Sequence, residues 1–149
     1  MNRSSFRSVI ILGILFCCAF TMPTVAQAAE PKINLDQLLA KRVPILLEFG
    51  RGWCIPCKYM KPILDDMARL YAGKAIVMAV DMDVNRDLVR KFNIRIMPTQ
   101  VFLSPGGNEF FRNEGTLERE HIAQVFSKMG LPIPQALAGA AQTPRPPAR

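Results

Sequence analysis

Residues 51–58 read RGWCIPCK. They follow an apolar run at residues 43–49, which predicts a buried strand, and precede a segment at residues 55–71 whose apolar side chains repeat at helical spacing. Cys54 therefore lies at the start of a helix, with Cys57 one turn further on. Unpaired backbone N–H groups and the helix dipole stabilise an anion there, and the thiolate is the form of cysteine that attacks a disulfide. The stretch predicts a redox-active cysteine pair where a strand leads into a helix.

Three other interpretations of the cysteine pair stay open from the residues alone. A structural zinc site needs four ligands, whereas the chain offers only one histidine, His121, in addition to this cysteine pair. A passive disulfide across two intervening residues would constrain the unfolded chain very little. Two simply buried thiols fit poorly beside Gly52 and Trp53, which indicate an exposed turn. The pattern favours redox chemistry over all three.

Outward from the pair, the sequence alternates strands and helices. Strand, helix, strand and helix come first, which predicts parallel strands, and two strands with a helix follow. The result is a βαβ half followed by a ββα half. The expected boundaries are a short helix capped by Asn34, strands at 43–49 and 75–80 around the helix at 55–71, a short helix capped by Asn85, strands at 100–103 and 109–112 joined by a turn at 104–107, and a helix from Thr116 to Gly130.

The N-terminal residues indicate export. Arg3 and Arg7 precede an uncharged stretch at residues 9–20, and the small-residue pattern AQA ends at Ala28. This order is typical of a signal peptide cleaved after Ala28, which would place the protein in the periplasm. The alternative is an uncleaved N-terminus that anchors the chain in the membrane.

Composition sets the remaining limits. The chain has 149 residues, of which 50% are hydrophobic and 21% charged, a balance that suits one globular domain. We expect a signal peptide at residues 1–28, a domain at residues 29–130 and a disordered, proline- and alanine-rich tail at residues 131–149. Loss of the two signal-peptide arginines lowers the formal net charge from +7 to +5. Because basic and acidic residues are interleaved, no nucleic-acid-binding surface is predicted.

Two separated motifs resemble the thioredoxin family. The first is the WCxPC core at residues 53–57, followed by Lys58 and Pro62, and the second is NIRIMPT at residues 93–99, which is similar to the segment that contains the family's cis-proline. The resemblance covers roughly residues 33–129. It implies an α/β thioredoxin fold, in which a central mixed sheet is flanked by helices and Pro98 lies against the cysteine pair.

The resemblance also implies roles for individual residues. Cys54 would be the attacking thiolate and Cys57 the resolving thiol. Substrate would be contacted by residues next to the pair and by the segment that contains the cis-proline. These residues are Trp53, Ile55, Pro56, Met97 and Pro98.

Glu48 interrupts the apolar run six residues before Cys54. It occupies the position of the family's buried acid, and burial of a carboxylate raises its pKa. Such a group would suit the transfer of a proton from Cys57. The alternative is a strand-end glutamate that reaches solvent. The lysine that the family keeps near this acid is replaced here by Ala79.

The expected activity is that of an exported protein-disulfide reductase. The residues between the cysteines, Ile55 and Pro56, bring no charge that would stabilise a thiolate, so the dithiol should be reducing. By resemblance, the substrates would be disulfides of envelope proteins, such as apocytochrome c, and a membrane electron donor would restore the dithiol. We expect a monomer without cofactor or metal. The alternatives are a disulfide oxidase or isomerase, and a thioredoxin-fold binding or assembly module without turnover.

Overall fold

A computed structural model describes residues 32–138 of the chain. Its centre is a four-stranded mixed sheet of order β2-β1-β3-β4. β1 pairs in parallel with β2 and antiparallel with β3, which pairs antiparallel with β4. The strands are β1 (Ile45–Gly50), β2 (Ile76–Asp81), β3 (Thr99–Leu103) and β4 (Glu109–Glu114). The predicted βαβ half followed by a ββα half is confirmed.

Helices cover both faces of the sheet. They are α1 (Leu35–Leu39), α2 (Ile55–Leu70), α3 (Arg86–Lys91), α4 (Arg119–Lys128) and the short α5 (Gln135–Ala138). Every residue of β1 is buried, as expected for a central strand covered on both sides. Leu46 packs into a cluster with α2 and α4, whereas Leu47 and Phe49 pack into a second cluster with α1 and α3. Alternate residues of β1 therefore face different helices, and Glu48 shares the face of Leu46.

Both predicted asparagines stand at the N-cap position, but only one of them caps its helix with a side-chain hydrogen bond. The side chain of Asn34 accepts a hydrogen bond from the backbone N–H of Gln37 and caps α1. Asn85 is the N-cap residue of α3, as predicted, but its side chain makes no capping hydrogen bond. Asn85 is buried; its Oδ1 accepts from the N–H of Ile33, and its Nδ2 donates to the carbonyl of Asp81. It joins the segment before α1 to the end of β2 instead.

The last long helix begins later than predicted. α4 starts at Arg119, and Glu118 is its extended N-cap residue. Leu117 is buried and its backbone N–H lies 3.2 Å from Sδ of Met60, so this contact with α2 holds the preceding residues outside the helix. The carboxylate of Glu118 accepts from the hydroxyl of Tyr59 rather than capping α4.

The segment after Gly130 differs in part from the predicted disordered tail. Residues 135–138 form α5, and Leu137 is buried in the cluster that contains α2 and α4. The backbone N–H groups of Leu137 and Ala138 both donate to the carbonyl of Pro134. The rest of the predicted tail, residues 139–149, and the predicted signal peptide lie outside the described residues. Between residues 32 and 138, no helix is both long and apolar enough to cross a membrane.

Candidate active site

The cysteine pair lies where β1 leads into α2. Cys54 is the N-cap residue of α2 and Cys57 lies in its first turn, with the two Cα atoms 5.3 Å apart and the sulfurs joined in a disulfide. The N–H of Cys57 donates to Sγ of Cys54 at 3.4 Å. A thiolate formed at Cys54 would therefore accept a backbone hydrogen bond at the positive end of the helix dipole. Pro56 fits the first turn because its missing N–H has no partner there in a helix.

Exposed apolar side chains surround the almost buried pair. Cys54 and Cys57 are only 5% and 8% exposed, whereas Trp53 and Ile55 are 65% and 80% exposed. The guanidinium of Arg51 stands 5.7 Å from the centre of the Trp53 ring, and its Nε lies 3.1 Å from Oδ1 of Asp83. Arg51 therefore links Trp53 to the loop after β2. This support was not predicted, because it joins residues 32 positions apart.

Gly50 packs directly beneath the pair. A Cβ atom on Gly50 would lie 3.0 Å from Sγ of Cys57 and 3.1 Å from Oε1 of Glu48. Sγ of Cys57 and Oε1 of Glu48 thus both lie next to this Cβ position, so the distance between them cannot exceed the sum of these two distances. Gly50 was not predicted to belong to the site. Its signal would have been a glycine at the end of a buried strand, where a close contact often excludes a side chain.

We expect Gly50→Ala to destabilise the oxidised protein by about 1–3 kcal/mol, because the new methyl group would push on Cys57 and Glu48. Chemical denaturation of the oxidised form measures this change. Gly52→Ala is the matched control, since no atom lies within 4 Å of its Cβ position, and it should change stability by less than about 0.5 kcal/mol. Equal effects of the two substitutions would show that the Gly50 contact is not tight.

Glu48 is the buried carboxylate of the site. It is 3% exposed, so the alternative of a glutamate that reaches solvent is wrong. Burial raises its pKa from 4.5 to about 7, and its Oε1 has no hydrogen-bond partner. Its neighbour on β2 is Ala79 and its neighbour on β3 is Gln100. At neutral pH Glu48 can therefore exist in either protonation state next to Cys57.

The cis-proline segment reaches the same end of the sheet. The Met97–Pro98 bond is cis, and Pro98 is buried. Because Phe49 pairs with Thr99, the next position along this antiparallel register brings Pro98 level with Gly50. The N–H of Gly115 donates to the carbonyl of Pro98, and the hydroxyl of Thr99 donates to the carbonyl of Ile96 at 2.7 Å. The substrate-docking role of Pro98 stays a prediction.

A cysteine pair at a helix N-terminus, with a neutralisable acid beneath it and apolar side chains around it, is the site of a dithiol–disulfide oxidoreductase. The family model described as Thioredoxin matches residues 26–128, so the chain belongs to the thioredoxin family. It is a thioredoxin-type protein-disulfide reductase whose redox pair is Cys54 and Cys57. Among residues 32–138, no group of three or more His, Cys, Asp or Glu side chains could hold a metal ion.

Individual relatives agree with this family. Thioredoxin 1 of Nostoc sp. is 29% identical over 107 residues, which are 72% of this chain and 98% of that protein. Thioredoxin-T of Drosophila melanogaster is 39% identical over 79 residues, 52% of this chain and 50% of its own length. The crystal structure of chloroplastic thioredoxin z superposes with a TM-score of 0.58 at 26% identity, covering 66% of this chain and 92% of that one.

Proposed function

We propose that this protein is an exported thioredoxin that reduces disulfides of other envelope proteins. Export is supported by the sequence before the domain: residues 1–25 precede the family match and carry the basic and apolar segments of a signal peptide. The mature chain would begin at Ala29 in the periplasm. Ordinary cysteine pairs are held oxidised in that compartment, so a reductase there needs an electron donor, which we assign to a membrane protein.

The environment of Cys54 is the observation that supports the proposed direction of electron flow, from this protein to its substrate. Its Sγ accepts one backbone N–H, and the residues between the cysteines, Ile55 and Pro56, are exposed and uncharged. Because no charged residue lies between the two cysteines, the thiolate of the reduced form gains little extra stabilisation from this dipeptide. A weakly stabilised dithiol is a better electron donor, because the potential follows the relative stability of the reduced and oxidised forms.

The reaction follows from the positions of the two sulfurs. In the reduced protein, the Cys54 thiolate attacks a substrate disulfide, and one substrate sulfur leaves as a thiolate and takes up a proton from water. Cys57 then loses its proton to the carboxylate of Glu48, directly or through one water, and its sulfur attacks Cys54. The Cys54–Cys57 disulfide forms and the second substrate thiolate leaves. Two electrons thus pass from the dithiol to the substrate, and the oxidised product is the state that the structure describes.

The rim of the site favours extended segments with apolar side chains as substrates. Trp53 and Ile55 flank Cys54, Tyr59 follows Ile55 by one turn of α2, and Ile96 precedes the Met97–Pro98 bond. All four are large apolar or aromatic side chains that are at least half exposed. An exposed apolar surface of this kind suits transient contact with incompletely folded polypeptide. Envelope proteins with reducible cysteine pairs, apocytochrome c among them, fit this description. The protein would act as a monomer and without nucleic acid.

We expect the reduction potential of the Cys54–Cys57 pair to lie nearer to about −270 mV than to about −120 mV, the values of a reducing and a strongly oxidising member of this superfamily. Equilibration of the purified domain with glutathione or dithiothreitol buffers measures it. A value close to about −120 mV would instead support the disulfide oxidase.

A further inference from the structure

A row of neighbouring residues crosses the sheet on the face of α2. In register it contains Ala79 of β2, Glu48 of β1, Gln100 of β3 and Asn113 of β4. Gln100 is fully buried, and its Nε2 has no hydrogen-bond partner, just as Oε1 of Glu48 has none. An unpaired donor and an unpaired acceptor thus stand on directly opposite residues of two strands, whose Cβ atoms lie about 4.5–5.5 Å apart in such pairs.

The oxygen and the nitrogen of the Gln100 amide can be told apart from their neighbours. Nδ2 of Asn113 lies 3.2 Å from the carbonyl oxygen of Gly115 and 3.4 Å from that of Thr116, and carbonyls only accept hydrogen bonds. This atom of Asn113 must therefore be the nitrogen. It also donates to Oε1 of Gln100 at 2.6 Å. Gln100 hence keeps its oxygen towards β4, and its Nε2 is the amide atom left to serve a group on β1, the strand on the other side of β3.

A glutamine is a costly residue at this position unless its nitrogen is used. The neighbours on this face belong to an apolar cluster that includes Leu46 and Phe102, and a buried donor without a partner loses its hydrogen bonds to water. An apolar side chain of similar size would avoid that loss. Glu48 has the complementary need, because Ala79 brings no charge to it.

We propose that Gln100 is the positioning residue for Glu48: its Nε2 donates to the carboxylate, through a change of side-chain torsion or through one water, and holds it towards Cys57. This inference rests on the proton-accepting role given to Glu48 in the proposed function. Gln100 makes no hydrogen bond to either sulfur, and in this role it acts only through Glu48. Gln100 is a neutral hydrogen-bond donor for Glu48, whereas Ala79, the neighbour on the other side, has no polar side chain.

The direction of the effect follows from the groups that face Glu48. Ala79 comes from β2, Gln100 from β3, Cys57 from α2, and α4 contributes apolar side chains to this face. Burial is the cause that raises the pKa of Glu48. A donor to the carboxylate favours the charged form and therefore opposes that rise, so removal of the donor should raise the pKa further.

The test is an NMR titration of the Glu48 carboxyl carbon in the oxidised protein, in wild type and in Gln100→Leu. We expect the midpoint to move up by about one pH unit or more when the donor is lost. Gln100→Met, which keeps the length of the side chain, covers the case that leucine disturbs folding. Tyr71→Phe is the matched control, since it removes another unpaired buried polar atom from the same cluster and should leave the midpoint unchanged. An unchanged midpoint in both Gln100 variants overturns the proposal.

Resolution kinetics give a second readout. At pH 7, Gln100→Leu should slow attack of Cys57 on a preformed mixed disulfide about fivefold, because a smaller fraction of Glu48 is ionised. In a Glu48→Gln background the same substitution should have no further effect, whereas a purely structural role would slow both backgrounds equally and contradict the proposal. A shifted midpoint with unchanged rates would keep Gln100 as the partner of Glu48 and overturn the proton-transfer step of the proposed function.

Discussion

Cys57→Ser is expected to abolish catalytic disulfide reduction, with a loss of at least about a thousand-fold in steady-state rate. The reason is that Cys54 still attacks a substrate disulfide, but no second thiol is present to release the substrate from the mixed disulfide. Steady-state reduction of a disulfide-bonded test protein measures the rate, and non-reducing electrophoresis detects the trapped complex. Cys54→Ser is the matched control, because it should lose the same activity without trapping anything.

The trapped complexes also test the proposed location and substrates. When the full chain with Cys57→Ser is expressed in cells, its mixed disulfides should contain envelope proteins with cysteine pairs. Capture of cytoplasmic proteins alone would contradict export. Full biological activity of the Cys54→Ser variant would support the binding or assembly module, because such a module needs no thiolate.

The main elements of the fold could be predicted because each carries its own pattern. The apolar run of β1 and the helical spacing of α2 depend only on neighbouring residues, and both were placed within about two residues. The errors occur where a distant contact decides the local structure. The side chain of Asn85 makes no capping bond because it bonds to Ile33, and α4 starts late because Leu117 packs on α2. Such contacts leave no periodic signal in the sequence.

The same difference explains the site. Cys54, Cys57 and Glu48 could be found because their residue types are informative by themselves: two thiols one helical turn apart, and an acid inside a buried strand. Gly50 and Gln100 could not, because their importance depends on strand register and on what packs against them. The sequence alone shows that Ala79 replaces the family's lysine. That Gln100 lies on the other side of Glu48 follows only from the pairing of the strands.

Glu48→Gln is expected to stabilise the folded protein at pH 8 by about 3 kcal/mol and to change its stability by less than about 0.5 kcal/mol at pH 4.5. The folded-state pKa is raised from 4.5 to about 7, so the native state binds this proton more tightly than the unfolded chain. The stability that protonated Glu48 contributes to the wild type is fully present below pH 4.5, the pKa in the unfolded chain, and is lost as the pH rises towards 7. Glutamine has no charge to bury and avoids that loss.

Urea denaturation at both pH values measures the difference. The matched control is Glu114→Gln, which removes an exposed carboxylate from β4 and should change stability by less than about 0.5 kcal/mol at either pH. An equal effect of Glu48→Gln at pH 4.5 and pH 8 would show that burial of the charged carboxylate does not destabilise the folded protein.

Glu48→Gln should also slow resolution of the mixed disulfide by about a hundredfold at pH 7, since its amide cannot accept the proton of Cys57. Stability and rate would then change in opposite directions, as expected where a buried acid is retained for its chemistry rather than for the fold.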